Sequence, residues 1–230
     1  MKYSEFDKII PDLKMDICRK AYLENKDKIR IKKEKLVVIN LGKIFDATLE
    51  IGILKGFQAM TMRDLSRVSG LSMGGLYSYF SSKEQILTVY LGQGRKIIKE
   101  VLERFIMEKT LPIERLRTAV QIHLFLTEKM HEFFFFSYME AKNLSLEERE
   151  RSIQGELGTE KMFEEILLDG QKQGVFKEVN HTLSASVIKA MLQDWYLKRW
   201  KYAKRNVHVD QYADFIMAFI APFCIEGVPA

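Results

Sequence analysis

The stretch TMRDLSRVSGLSMGGLYSYFSSKE, residues 61–84, decides the fold. Three short helical signals follow one another in it with almost no loop between them. Thr61 can cap a first helix, and Asp64 three residues later completes a capping-box pattern. Leu65 and Val68 stand three apart and share that helix's inner face. Gly70-Leu71 breaks the pattern, glycine being the residue that accepts the left-handed backbone of such a turn. Ser72 can cap a second short helix in which Leu76 and Phe80, four apart, face inward together. Ser81, with Glu84 three on, is expected to open a third. Two short helices across a tight glycine turn describe a helix-turn-helix, a motif whose second helix enters the DNA major groove.

Outward from the motif the chain reads as helix in both directions. Residues 34–55 place Val37, Leu41, Ile44, Phe45, Thr48 and Ile51 at three- and four-residue steps, with Gly56 as the stop. A helix from Lys83 to about Lys109 leads away from the motif and ends at Leu111-Pro112. Residues 113–143 form a further helical stretch with a bend near Met130-His131. Ser145, paired with Glu148, opens a helix to about Gly170 or Gly174. Asn180 caps one to about Arg205, and residues 209–225 form the last. No strand alternation, repeat or low-complexity tract interrupts this, so the fold class is all-α. Ahead of the motif lies an extension, residues 1–31, with one short amphipathic helix expected from about Asp12 to Asn25. It reads as a packing element, or, through the basic run Lys26–Lys35, as an arm along DNA.

Charge is divided unevenly. Residues 1–90 hold sixteen Lys or Arg against eleven Asp or Glu, whereas residues 91–230 hold twenty of each. The whole excess therefore lies on the side of the helix-turn-helix, as a phosphate-facing domain requires. Hydrophobic content of 47% with 29% charged residues is that of an ordinary globular protein. Cys18 and Cys224 stand alone, outside any disulfide framework or metal-ligand spacing, which fits a reducing cytoplasm. The longest apolar stretch, residues 215–225, is too short for a membrane span. Neither a P-loop nor a dinucleotide glycine pattern, HExxH, nucleophile elbow or Cys/His cluster is present, so no catalytic site, cofactor or metal is expected.

The segment GFQAMTMRDLSRVSGLSMGGLYSYFSSKEQIL, with IFDATLEIGILKGF (44–57) before it, resembles the N-terminal signature of TetR-type bacterial transcriptional regulators. Its landmarks are Gly56-Phe57, Thr61, Leu65, Gly70, Ser72, Gly74, Leu76-Tyr77, Tyr79-Phe80, Lys83-Glu84 and Leu87. The resemblance implies an extension over 1–31 and a three-helix DNA-binding domain over 32–92, with the motif at 62–81. A C-terminal helical-bundle domain for ligand binding and dimerisation follows over 93–230. It implies a homodimer that binds a palindromic double-stranded operator and is released by a small effector. The candidate DNA-facing set is Thr61, Arg63, Ser72, Met73, Gly74, Gly75, Tyr77, Ser78, Tyr79 and Lys83. In the family, positions 72 and 77–79 contact DNA, and Lys83 meets a phosphate. Met73 and Gly75 depart from the usual pattern: Met73 offers only apolar contact, as to a thymine methyl, and Gly75 no side-chain hydrogen bond.

The region beyond residue 93 is rich in Met and Phe, which line adaptable apolar cavities. Candidates for an effector pocket are Phe105, His123, Phe125, Met130, Phe134, Tyr138, Phe163, Met191 and Trp195. The segment ASVIKAMLQDWYLKRWKY looks like a helix of family members that sense acyl chains or acyl-CoA thioesters, so the expected effector is apolar, with an acyl compound first. In the family the last two helices pair across a two-fold axis, which points to Val187, Tyr212, Phe215, Ile216, Phe219 and Phe223 as the dimer interface. A DNA-binding activator or architectural factor is the alternative reading, and a helical carrier or enzyme without DNA binding a more distant one.

Overall fold

The computed structural model describes residues 1–10, 12–27, 29, 31 and 33–224, and its elements there are helices. In chain order they are α1 Tyr3–Ile9, α2 Leu13–Glu24, α3 Glu34–Lys55, α4 Met62–Ser69, α5 Met73–Tyr77, α6 Lys83–Met107, α7 Pro112–Lys129, α8 His131–Glu140, α9 Leu146–Lys172, α10 His181–Leu197, α11 Arg199–Lys204 and α12 Val209–Cys224. The chain divides into two units that are not continuous in sequence. A first unit takes residues 10–97 and 136–150; a second takes 1–9, 98–135 and the chain from 151 on. The domains expected from the sequence are continuous ranges. Instead α6 and α8 each contribute residues to both units, and so does the N-terminal extension.

In the first unit α3 is the central element. Val37, Leu41, Ile44 and Phe45 are almost wholly buried along one face. Thr48 shares that face because its hydroxyl donates to the Ile44 carbonyl at 2.8 Å, which settles its polar atom within its own helix. Phe45 stacks on Tyr90 of α6, with ring centroids 4.6 Å apart. Gly52 lies under the Phe136 ring, and a Cβ at this position would fall 2.2 Å from a ring carbon. A glycine in mid-helix costs backbone entropy, and here close packing is the return. The helix stops at Gly56, whose φ of +82° is open to few other residues.

Helix α2 occupies the span expected of the extension's helix. Asp12 caps it by accepting from the Met15 N–H at 2.9 Å. Leu13, Ile17, Cys18, Ala21 and Tyr22 form its buried side. Lys14 pairs with Asp46 of α3 at 2.5 Å, and Glu24 takes Lys96 and Gln93 of α6 at 2.7 Å each. The same extension supplies α1, which the sequence reading does not anticipate. Of the basic run proposed as a DNA arm, Lys28, Arg30 and Lys32 lie outside the described residues, as does Ile225, the expected end of the last helix.

Helix starts follow capping chemistry closely, with one shift. Ser145 accepts from the Glu148 N–H at 3.2 Å and Asn180 from the Leu183 N–H at 3.0 Å. At α6 the cap is Ser82, accepting from Gln85 N–H at 3.2 Å, while Gln85 reaches back to the Ser81 N–H at 2.7 Å. The sequence offers the neighbouring Ser81 and Glu84, a register equally good locally. The bend near residue 130 is a true break between α7 and α8. The helix expected to run from Asn180 to Arg205 is likewise interrupted, at Lys198.

The second unit gathers aromatic side chains around α7. Phe125, Phe163 and Trp195 are fully buried. Glu128 accepts from the Trp195 indole at 3.0 Å and from Arg199 twice at 2.8 Å, a bidentate pair that fixes α10 and α11 to α7. Helix α1 enters this unit as a structural part. Phe6 is completely buried, 5.9 Å from the Phe105 ring and 5.6 Å from Phe125. Asp210 accepts from the Tyr3 N–H at 2.9 Å, and Asp7 pairs with Lys129.

A seven-residue helix with so few buried groups depends on Phe6. Phe6→Ala is expected to destabilise the protein by about 3–5 kcal/mol, the usual cost of deleting a buried phenyl ring. Denaturant unfolding followed by tryptophan fluorescence reads it, since Trp195 reports on this unit. An unchanged midpoint would mean that α1 adds nothing to the core.

Candidate nucleic-acid interface

Helices α4 and α5 are each set by a side-chain cap. Thr61 accepts from the Asp64 N–H at 3.1 Å and Asp64 accepts from the Thr61 N–H at 3.0 Å, closing the capping box. Asp64 also receives Lys55 at 2.7 Å and the Thr61 hydroxyl at 2.6 Å, and these donors hold its carboxyl well below the usual carboxylate range. Gly70 ends α4 with φ +72°, the left-handed conformation expected of it. Ser72 caps α5 by accepting from Gly75 N–H at 3.1 Å. A Cβ on Gly75 would lie 3.1 Å from that same Ser72 oxygen, so glycine at 75 keeps the cap uncrowded.

The candidate DNA-facing residues separate into two groups. Thr61, Arg63, Ser72, Gly74 and Tyr77 are exposed, Tyr77 by 50%. Met73, Gly75 and Ser78 are partly covered, and the Ser78 hydroxyl donates to the Gly75 carbonyl at 2.6 Å. Tyr79 does not belong with them. It is 3% exposed, and its hydroxyl accepts from Asn40 Nδ2 of α3 at 2.7 Å. The expected phosphate contact is replaced by an internal bond, because burial of the ring draws the phenol under α3.

Lys83 differs too. Its ammonium donates to the carbonyls of Phe57, Gln58 and Met60 at 3.0, 2.9 and 2.9 Å and lies 4.8 Å from the Phe57 ring centroid. Lys has three donors, and all three are used inside the protein. The phosphate role expected of it therefore gives way to closing the α3–α4 link. Two residues escape the sequence reading. Arg67 is an exposed cation on α4, 3.4 Å from Asp64, and Asn40 is the buried partner of Tyr79. A polar residue on the apolar face of 34–55 is the available signal for Asn40.

The candidates for an effector pocket are not one cluster. Phe105 and Phe125 meet through Phe6 of α1. His123 lies near Phe134, with centroids 6.2 Å apart, and Phe134 faces Tyr196 at 5.4 Å. Trp195 stacks on Tyr212 at 5.1 Å and meets the tilted Tyr202 ring at 4.8 Å. Phe163 is fully buried, whereas Met130 and Met191 are partly covered. Tyr138 leaves the set, being 50% exposed and part of the first unit. Burial, and next to it the charge of Lys189, holds His123 neutral by pushing its pKa well below the ordinary histidine value.

Of the residues expected at a dimer interface, Val187, Phe215, Phe219 and Phe223 are 58, 63, 51 and 63% exposed. The three Phe residues, four apart on α12, form one stripe with ring centroids 6.3 and 5.9 Å apart. Leu183 on α10, 63% exposed, extends the apolar set. Tyr212 and Ile216 turn inward instead: the Tyr212 hydroxyl donates to the Met191 carbonyl at 2.7 Å, and Ile216 is 2% exposed. No described helix is long and apolar enough to cross a membrane.

Comparison with known proteins agrees with this geometry. The sequence pattern described as bacterial regulatory proteins, tetR family, matches residues 44–89, and that of the tetracyclin repressor-like C-terminal domain matches 109–220. The HTH-type transcriptional regulator HbdR of Aromatoleum sp. (strain CIB) is 25% identical over 189 residues, 82% of either chain. Among solved structures, the TetR family transcriptional regulator PfmR of Thermus thermophilus is similar, with a TM-score of 0.66, 27% identity, and coverage of 81% of this chain and 99% of that one. The transcriptional regulator FadR of Bacillus subtilis, solved with stearoyl-CoA, has a TM-score of 0.62 at 20% identity, covering 81% and 98%.

The internal bond of Tyr79 gives a direct expectation. Tyr79→Phe leaves Asn40 without its partner in the interior, so stability should fall by about 1–3 kcal/mol. DNA affinity of the folded protein should stay within about twofold, as no DNA contact is lost. A tenfold loss of affinity at unchanged melting temperature would instead place the hydroxyl on DNA.

Proposed function

This chain belongs to the TetR family of bacterial regulatory proteins and is a DNA-binding transcriptional regulator, and we propose that it is a homodimeric repressor released from its operator by an apolar acyl compound. The observation that carries the DNA-binding half is the exposed set on α4 and α5: Arg63, Arg67, Ser72, Gly74 and Tyr77. Two cations, two hydroxyls and a bare backbone position suit phosphate oxygens and a close approach to the groove. The buried Tyr79 and the internally bonded Lys83 serve this face by holding it in place.

The dimer reading rests on the stripe Phe215, Phe219 and Phe223 with Leu183 and Val187, an apolar surface that water penalises and a second copy would cover. Dimerisation also matches what DNA demands, since two recognition helices must reach half-sites about one helical turn apart. The effector reading rests on the Phe-rich second unit and on the similar regulator solved with stearoyl-CoA. An effector shifts operator binding only by its difference in affinity for two conformations. The coupling is then reciprocal, and operator DNA weakens effector binding by the same factor.

Gly74 separates DNA contact from folding. No atom lies within 4 Å of a Cβ built there, so the fold itself does not need this glycine. Gly74→Ala should raise stability by about 0.5–1 kcal/mol, through lower chain entropy when unfolded. If DNA comes as close as proposed, the same change should weaken operator binding at least fivefold in a mobility-shift titration. Equal affinity for both proteins would remove Gly74 from the interface.

Arg63→Ala and Arg67→Ala should each lower affinity for all DNA sequences and reduce the slope of log affinity against log salt by about 0.9. Phe215→Glu with Phe219→Glu should yield a monomer by light scattering that has lost specific operator binding. A dimer that persists would relocate the interface.

A further inference from the structure

His123 is a side chain of the second unit's interior whose chemistry neither DNA binding nor dimerisation uses. It sits on α7, 2% exposed, and its Nδ1 is shielded from solvent with no hydrogen-bond partner among the described residues. Leaving a buried polar nitrogen unpaired is costly, and native interiors rarely do so without a reason. Close to it are the Phe134 ring, at 6.2 Å between centroids, and the ammonium of Lys189, whose charge acts on the imidazole.

Lys189 is itself 5% exposed and is neutralised by Glu156 at 2.9 Å, with Gln193 donating to the same carboxylate oxygen. The three helices α7, α9 and α10 thus bring together an orphaned imidazole and an ion pair whose Lys189 end is buried and whose Glu156 end is partly exposed. Because the ion pair is complete, any further charge introduced there would stand uncompensated, a heavy penalty in a low-dielectric interior. A neutral acceptor meets no such penalty. A neutral imidazole has one N–H to give such an acceptor.

We propose that His123 Nδ1–H is the donor that receives the carbonyl oxygen of the effector's acyl group, making the second unit selective for an apolar chain ending in a neutral thioester. This deepens the effector reading and rests on it. A free fatty acid of equal length would bring a carboxylate beside Glu156, and a carbonyl-free chain would leave Nδ1 unpaired, so both should bind more weakly. His123 acts as a specificity determinant, with no covalent step.

The test compares three probes of equal chain length on the full-length protein by calorimetry: palmitoyl-CoA, the hexadecyl-CoA thioether that lacks the carbonyl, and palmitate. The native protein should bind palmitoyl-CoA at least tenfold more tightly than either of the others. His123→Leu should reduce the preference over the thioether to within twofold, while His123→Asn, whose amide can donate from nearly the position of Nδ1, should keep part of it. His123→Leu should also melt at the same or higher temperature than the native protein, since it removes an unpaired polar atom from the core. A purely structural histidine would give a lower melting temperature and an unchanged preference. Equal binding of thioester and thioether by the native protein, or a preference that survives in His123→Leu, overturns the proposal alone. If the native protein binds none of the three probes, the acyl-effector reading falls, and this proposal with it.

Discussion

A single ammonium group closes the DNA-binding unit. Lys83, at the first position of α6, directs its three protons to the carbonyls of Phe57, Gln58 and Met60, the turn that follows the end of α3. Those carbonyls belong to the turn between α3 and α4, where the Phe57 carbonyl also accepts the backbone N–H of Met60 at 3.2 Å. The α3 C-terminus, the start of α4 and the start of α6 are thereby tied to one another. Lys55 and Asp64 add a second tie across the same turn at 2.7 Å. With these in place, Thr61 caps α4 and the exposed side chains of α4 and α5 have a fixed base. A lysine used in this way explains how a motif of eight- and five-residue helices keeps its geometry, since helices so short are not stable alone.

The second unit solves a different problem. Its interior holds many large rings, and rings leave gaps unless their edges are pinned. Glu128 pins Trp195 and Arg199 together, and Asp194 collects Lys198, Lys201 and the Tyr202 hydroxyl. Burial and the neighbouring carboxylate push the Tyr202 phenol far above its ordinary pKa, so it stays a donor. The run Phe133–Phe136 is likewise distributed rather than stacked. Phe133 is buried, Phe134 meets Tyr196, Phe135 lies along His131, and Phe136 belongs to the first unit, over Gly52. Helix α1 belongs to this logic: the buried Phe6 packs against both Phe105 and Phe125.

Exposure and burial fall to different members of the same short motif. Arg63, Ser72, Gly74 and Tyr77 are exposed and available to a phosphate backbone, whereas Leu65, Leu76, Tyr79 and Phe80 are buried. The division alternates with helical period, so neighbours in sequence have opposite duties. On α12 it recurs as Phe215 and Phe219 outside against Tyr212 and Ile216 inside.

Much of what acts within about one helical turn could be read directly from the chain. Most helix positions, the caps at Thr61, Ser72, Ser145 and Asn180, and the stops at Gly56 and Gly70 follow from such short-range chemistry, whereas α1, the Ser82 cap of α6 and the break at Lys198 do not. The motif, the charge division and the all-helical class were legible for the same reason. Contacts between residues far apart in sequence were not. Packing turned Tyr79 inward to Asn40, 39 residues away, and gave Lys83 to carbonyls 23 to 26 residues earlier. It sent Tyr138 to a different unit from the pocket candidates, buried Tyr212 and Ile216, and divided the extension between two units. A phenol or an ammonium has the same local pattern whether it faces DNA or its own backbone. Which of the two it meets is set by the packing of elements that sequence spacing does not specify.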